Sequence, residues 1–191
     1  VLRWAMGIKV DASTQLRNVA FWDYWSAFGL NVQFWHNGAM RIHIRSLPFG
    51  WVWYIALSID RTSVGVVCPA EYYKTCGKRP EQLYHEALQS DPLVVGMLGA
   101  GRPRGQIDST TDWSFIADTT YGPNWFLVGE ALGFADPILS AGLTLTHTCA
   151  RHCAYTILEL DRGAAKEPGA HRPEWLLAQY DTIQRKRVMQ H

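Results

Sequence analysis

Charge of a single sign is the first thing this sequence lacks. Across 191 residues, 18 Lys+Arg face 17 Asp+Glu, for a formal net charge of +1. A nucleic-acid grip and a polybasic membrane contact both need clustered basic surface, so neither partner is expected. Long apolar runs are missing as well. None reaches the ~18 residues of a membrane span, and no secretory signal pattern stands at the start. Cysteine is scarce: Cys68, Cys76, Cys149 and Cys153 are too few in a chain of this size for a disulfide framework. The expectation is therefore a reduced, cytoplasmic setting. No G-x-S-x-G occurs, and no Ser-His-Asp arrangement, internal repeat or low-complexity tract can be read from the linear order. An initiator methionine is lacking too. The chain opens on Val1 inside an apolar stretch, which leads us to expect a trimmed chain or a segment of a longer one.

What is present is apolar and aromatic. Hydrophobic residues make up 48% and charged residues 18%, the balance of a globular chain rather than a disordered one. Nine Trp, eight Tyr and seven Phe suit either a large core or a pocket lined with flat apolar faces. Short strands are expected at 4–10, 18–25, 31–36 and 39–45, with Asn37-Gly38 as a hairpin turn. From Gly50 to Ile59 the pattern alternates: Trp51, Trp53, Ile55, Leu57 and Ile59 point one way, Val52, Tyr54, Ala56 and Ser58 the other. Asp60-Arg61 turns the chain and 62–67 returns. Residues 18–68 thus read as an antiparallel sheet with a Trp-rich face. Beyond it, helices are expected from Pro80 to Gln89 and from Pro92 to about Leu98. Residues 99–105, rich in Gly, Pro and Arg, read as a loop and the best candidate for mobility. Strands follow at 112–119 and 124–128, the second apolar enough for burial on both faces. A loop at 129–139, a long helix from Ser140 to about Leu160, a linker and a last helix at 174–188 complete the pattern.

Two segments invite a chemical reading. Gly99-Ala100-Gly101-Arg102-Pro103-Arg104 has the first two glycines of a dinucleotide-binding turn. Arg104 stands where the third belongs, and Pro103 falls where the receiving helix should open, so we read a loop. The stretch 124–146 is more informative. An apolar strand ends in Gly129-Glu130, placing a carboxylate at the carboxyl end of a sheet, where α/β folds hold ligands. Ser140-Ala141-Gly142 then opens a long helix, whose free amides and positive dipole end suit an anion or developing negative charge. A plain strand-loop-helix connection, with its glycines serving the turn, is the other reading by spacing alone. His147, Cys149, His152 and Cys153 crowd one helix. Structural metal sites draw ligands from more than one element, so buried cysteines are expected and no metal site is assigned.

Gly129 to Gly142 resembles the G-D-A-A-G-F-x-D-P-x-x-S-x-G signature of flavin-dependent halogenases and their FAD-dependent monooxygenase relatives. Gly50-Trp51-Val52-Trp53-Tyr54-Ile55-Ala56 resembles the halogenases' G-W-x-W-x-I-P, and Asp11-Ala12-Ser13 the D-A-S-G that closes a flavin-domain strand. Residues 60–67 fit the strand after the tryptophan motif. These landmarks run in order from about residue 10 to about residue 160. The resemblance implies an α+β chain: an α/β flavin-domain remnant at 1–17, an antiparallel substrate-domain sheet with helices at 18–119, and a carboxyl-terminal strand, loop and long helix of an FAD/NAD(P)-binding-like fold at 120–191. It implies cofactor-binding roles for Asp11, Gly129, Glu130, Asp136, Pro137, Ser140, Ala141 and Gly142, with halide beside the amides of Ala141 and Gly142. Trp51 and Trp53 would line the passage from flavin to substrate; a packed sheet face is the plain alternative for them. In such enzymes reduced FAD, O2 and halide yield hypohalous acid, which travels to a lysine beside an aromatic or carrier-bound substrate, and a separate flavin reductase supplies the reduced cofactor.

Departures from the pattern are informative. Glu130 replaces the usual Asp, Ala56 the Pro, and Thr14 the Gly after Asp-Ala-Ser. Leu139 stands where tryptophan halogenases carry a glutamate, which points toward phenolic, pyrrolic or carrier-bound substrates. No G-x-G-x-x-G is present, and Lys9, Lys74 and Lys78 lie outside the lysine motif, so no catalytic residue is assigned. The expectation is an FAD-dependent halogenase-like oxidoreductase whose isolated chain holds FAD weakly or not at all and is itself inactive. An FAD-dependent aromatic monooxygenase or reductase of the same fold, and a non-catalytic aromatic-lined binding module, are the alternatives.

Overall fold

The computed structural model describes residues 2–11, 17–26, 35–36, 39–111 and 113–190. The chain divides into two units, one of residues 17–112 and one joining 1–16 to 113–191. In chain order, α1 (Leu2–Ala5) and β1 (Val10–Asp11) are followed by the strands of the central unit: β2 (Asn18–Ser26), β3 (Trp35–His36), β4 (Ala39–Met40), β5 (Ile42–Leu47), β6 (Gly50–Ala56) and β7 (Arg61–Pro69). Helices α2 (Ala70–Thr75), α3 (Pro80–Gln89) and α4 (Pro92–Leu98) and strands β8 (Arg102–Pro103) and β9 (Asp108–Thr111) complete that unit. Then come β10 (Phe115–Ala117), β11 (Tyr121–Gly122), β12 (Trp125–Phe126), β13 (Gly133–Phe134), α5 (Gly142–Ala164) and α6 (Pro173–Met189).

The central unit is an antiparallel sheet in the order β5-β6-β7-β2, with β8 and β9 both on the far edge of β2. Its inner strands are rich in Val, Trp and Tyr, residues that fit a half-buried pleated surface. Period-2 alternation sends Val19, Phe21, Val52, Tyr54, Val64, Val66 and Cys68 to one face, where Leu83, Tyr84, Ala87 and Leu88 of α3 and Val94 and Leu98 of α4 close the core. Burying each such aliphatic or aromatic side chain stabilises the unit by about 1.5–3 kcal/mol. Both helices begin with Pro in the first turn, and the Asp91 carboxylate accepts from the Leu93 amide at 2.8 Å as a cap for α4.

In the terminal unit, β1 and β13 flank β10 in an antiparallel ladder, with Val10 opposite Ala117 and Phe115 opposite Phe134. Ile116, Ala117, Leu127 and Leu132 meet Leu145 and Cys149 of α5 and Val188 of α6 in a separate core. The α+β class holds, with mixed helix and antiparallel sheet.

Local differences from the sequence reading have physical causes. Residues 4–10 supply a short helix and the first residue of β1, not one strand. Strand β6 stops at Ala56, because the amides of Leu57 and Ser58 both turn to the Arg61 carbonyl; Leu57 and Ile59 are exposed there. Residues 99–105 are not a free loop: Arg102 and Pro103 pair with Ser26 and Trp25, and the Arg104 amide donates to the Tyr24 carbonyl at 2.9 Å. Helix α2 and strand β9 were not foreseen. The strand expected at 112–119 shortens to 115–117, and that at 124–128 to 125–126. Trp35 pairs with Met40 and His36 with Ala39, the pairing a two-residue hairpin produces; Asn37 and Gly38, like residues 27–34, lie outside the described residues. Among the described residues no helix is long and apolar enough to cross a membrane.

Candidate functional site

The segment from 125 to 145 folds around two backbone positions in the left-handed region. After β12, Leu127 is buried and Val128 extended, and Gly129 then takes φ +59°. A Cβ at Gly129 would stand 2.7 Å from Thr146 Oγ1 and 3.2 Å from the Thr146 Cα, so α5 passes directly over this residue. Glycine is required here twice, by conformation and by the approach of the helix. Residues Gly129–Ala131 and Pro137–Leu139 form single 3-10 turns, the second capped by the Asp136 carboxylate, which accepts from the Ile138 amide at 2.9 Å. Ser140 follows at φ +53°, and α5 starts at Gly142 with no side-chain cap.

This geometry brings Glu130 to the start of α5. The position a Cβ would take on Gly142 is 2.9 Å from Glu130 Oε1. A carboxylate beside an uncapped 23-residue helix start is stabilised by the dipole and by unsatisfied amides. Leu143 in the first turn is exposed, and Ala141 and Gly142 are half-buried. The expected residues separate by role. Glu130 reaches Gly142 at the helix start; Asp136 and Pro137 build the preceding turn. Ser140 contributes its αL backbone, while its amide is taken by the Pro137 carbonyl at 2.8 Å. Its amide is therefore engaged within the turn. Asp11 pairs through its backbone with Ile116; its side chain and that of Leu139 lie outside the described residues. Nearby in sequence, the Ser114 hydroxyl donates to the Ala135 carbonyl, and the indole Nε1 of Trp113 is buried with no hydrogen-bond partner among the described residues.

The second expected feature is the tryptophan face of the central sheet. Register puts Trp22, Gly65 and Trp53 side by side on β2, β7 and β6. A Cβ on Gly65 would fall inside the Trp53 indole, so the ring lies flat across β7 only because position 65 is glycine. Trp53 stands 6.2 Å from Trp22 and 5.9 Å from Trp51, centroid to centroid, and its Nε1 donates to the Ser63 hydroxyl at 3.1 Å. Trp51 is buried and Trp53 half-buried. Trp25 sits on the helix-covered face, where its Nε1 donates to the buried Tyr84 hydroxyl at 2.9 Å. Trp22 was expected in this sheet; Gly65 was not singled out from sequence. A lone glycine in a β-branched strand was the available signal.

The four His and Cys residues of α5 do not converge on one point. His147 is exposed, Cys149 and Cys153 are buried toward the core, and His152 Nδ1 lies 3.1 Å from Gln184 Nε2 on α6. All four cysteines are free thiols, and burial pushes the Cys68 thiol up to about 11. Of the cavities, one of about 510 Å³ lies at residues 170–175, across the start of α6 and remote in sequence from both motifs.

No family model matches the chain. Among curated proteins it is 35% identical over 150 residues to a tryptophan 2-halogenase from Chondromyces crocatus, covering 77% of the chain and 28% of that protein. It is 32% identical over 173 residues to a flavin-dependent halogenase from Armillaria mellea, covering 81% and 33%. Among solved structures it superposes on the flavin-dependent halogenase CmlS with a TM-score of 0.76 at 23% identity, over 99% of the chain and 33% of that protein. The myxobacterial chondrochloren halogenase CndH gives 0.72 at 23% identity, over 93% and 40%. These two likenesses are of fold. The chain spans about a third of the length of the curated relatives it matches.

Proposed function

The chain belongs to the flavin-dependent halogenase family, and on that premise we propose that it forms part of an oxidoreductase that uses reduced FAD, O2 and halide to halogenate an aromatic substrate. One observation carries this reading: two motifs in family order fall on a tryptophan-faced strand and on a glycine-shaped turn into an uncapped long helix. FAD, when bound, supplies the redox chemistry that converts halide into an electrophilic halogen.

The residues present fit that cofactor's chemistry. The Glu130 carboxylate accepts a hydrogen bond from a ribityl-type hydroxyl, with one methylene more reach than the family's aspartate. The amides opening α5 stabilise negative charge on a reduced ring by electrostatic preorganisation. Asp136 and Pro137 hold the turn before that helix start, and Ala141 and Gly142 offer their amides to halide. A halide there shares the helix start with the Glu130 carboxylate, so its binding weakens as that carboxylate approaches. Trp51 and Trp53 give the central sheet a face of flat apolar rings, suited to an aromatic substrate. A separate flavin reductase supplies reduced FAD. Phenols, pyrroles and carrier-bound aromatics are the substrates to test first, with tryptophan added because one relative is named for it.

The test supplies reduced FAD, O2 and bromide or chloride to this chain and, in parallel, to a longer gene product containing it. Mass spectrometry then reads the aromatic products. Halide-dependent halogenation by the longer product, with weak or no flavin retention by the 191-residue chain, is the expected result. Hydroxylation independent of halide would move the reading to an FAD-dependent monooxygenase. No flavin dependence in either protein would leave a non-catalytic binding module.

A further inference from the structure

At one end of the tryptophan face the sheet gathers three guanidinium groups. Ser26 is opposite both Arg61 on β7 and Arg102 on β8, and period 2 puts all three on the face that carries Tyr24 and Trp22. Together with Asp60 and Arg104 they border an open groove of about 310 Å³. The Arg61 guanidinium lies 4.2 Å from the Tyr24 ring centroid and that of Arg104 lies 5.1 Å away.

The three arginines are not equivalent. Arg104 is held from behind, 2.9 Å from the Asp108 carboxylate and 3.5 Å from that of Asp23, which is fully buried. Those carboxylates offset its charge and fix its orientation. Arg61 and Arg102 form no ion pair among the described residues. Asp60, the one acid bordering the groove, accepts from the Ser58 hydroxyl at 2.7 Å. Positive charge is therefore in excess here, on a protein that is nearly neutral as a whole. Guanidinium forks beside an aromatic ring match the planar, bidentate demand of a carboxylate or a phosphate.

Gly65, which underlies the Trp53 indole, follows Arg61 by four residues of β7, or about 13 Å at strand rise. We propose that Arg61 and Arg102 hold the anionic end, carboxylate or phosphate, of an elongated substrate whose aromatic ring lies toward Trp22 and Trp53. The proposal rests on the reading of the tryptophan face as the substrate side. Tyr24, between the two positions, holds the Arg61 guanidinium against its ring. Short aromatic acids such as benzoate cannot span both ends; an arylalkanoate or the phosphate-bearing arm of a carrier can.

Binding to the 191-residue chain without flavin tests this, read by tryptophan fluorescence. The probes are phenylhexanoate, phenylhexanol, phenylhexyl phosphate and benzoate. Phenylhexanoate or phenylhexyl phosphate should bind at least about tenfold more tightly than phenylhexanol, as expected for hydrogen bonds to a charged group. The better of the two anions identifies the headgroup. Benzoate should bind more weakly than phenylhexanoate. Arg102→Ala should remove the preference for the anion, and Arg102→Lys should restore part of it. Arg61→Ala should act likewise where circular dichroism shows it folded; Arg102, which is exposed, carries the test otherwise. Equal affinity for acid and alcohol, or an anion preference unchanged in Arg102→Ala, overturns the proposal. Because no flavin is present, that failure is separate from a failure of the halogenation assay.

Discussion

Gly65 and Gly129 are each fixed by a neighbour that must come close, one an indole and the other a helix. Gly65→Ala forces the Trp53 ring off β7; it should cost about 1–3 kcal/mol, the usual range for overpacking, and shift tryptophan emission in the folded state. Urea unfolding followed by fluorescence checks both. Gly129→Ala adds strain at φ +59° to a clash with Thr146 and should cost at least about 1 kcal/mol. Gly142→Ala differs, because its Cβ crowds only the flexible end of Glu130 and meets the Phe134 ring at an ordinary 3.5 Å. Stability should change little while FAD affinity of the longer gene product falls, as titration with the cofactor would show. Cys68 is buried with its thiol pushed up to about 11, so alkylation near neutral pH should reach it only after unfolding. Glu130 was legible in the sequence as an acid at the end of a strand. Its position beside Gly142 was not, since eleven residues lie between them and only their folding sets the distance.

Helix α3 is tied to the sheet by a buried hydroxyl, and part-buried polar contacts join α5 and α6. The Tyr84 hydroxyl accepts from Trp25 Nε1 and donates to the Val64 carbonyl at 3.0 Å, tying the helix to two strands. Tyr84→Phe leaves the indole N–H and the carbonyl without that partner and should destabilise by about 1–3 kcal/mol, measurable by thermal or urea unfolding. Between α5 and α6, burial first and the Arg187 charge second hold His152 below the ordinary histidine range. The unfolded chain then takes up the proton first as pH falls. Stability from this group is present above about pH 6.5 and is lost as pH drops below it. The urea midpoint should fall between about pH 7 and about pH 5, and His152→Asn should flatten part of that fall. His43, lowered by burial and then by Arg41, supplies a drop of the same sign. The helices themselves were readable from Pro at their first turns and from apolar spacing. Strands β8 and β9 were not, because four polar residues and an Arg-Pro pair become strand only when the open edge of β2 accepts them.

The molecule as a whole has two cores that share no residues. Unfolding should therefore depart from a single two-state transition, with Tyr84→Phe shifting the step that belongs to residues 17–112 and Gly129→Ala the step that belongs to 113–191. Calorimetry of the two variants beside the parent chain checks this; one transition displaced equally by both would contradict it. The sequence by itself determined the α+β class, the alternating tryptophan strand, the principal helices, the absence of a disulfide framework and the two ordered motifs. All of these are local: period, turn chemistry and residue spacing are written along the chain. Only the tertiary structure decided which glycine lies under which indole, that Ser140 spends its amide on Pro137, and that Arg61 and Arg102 share one groove with Tyr24. The first and last of these depend on strand register, where a shift of one residue would send each side chain to the opposite face, and the Ser140 bond depends on the 3-10 turn at Pro137–Leu139.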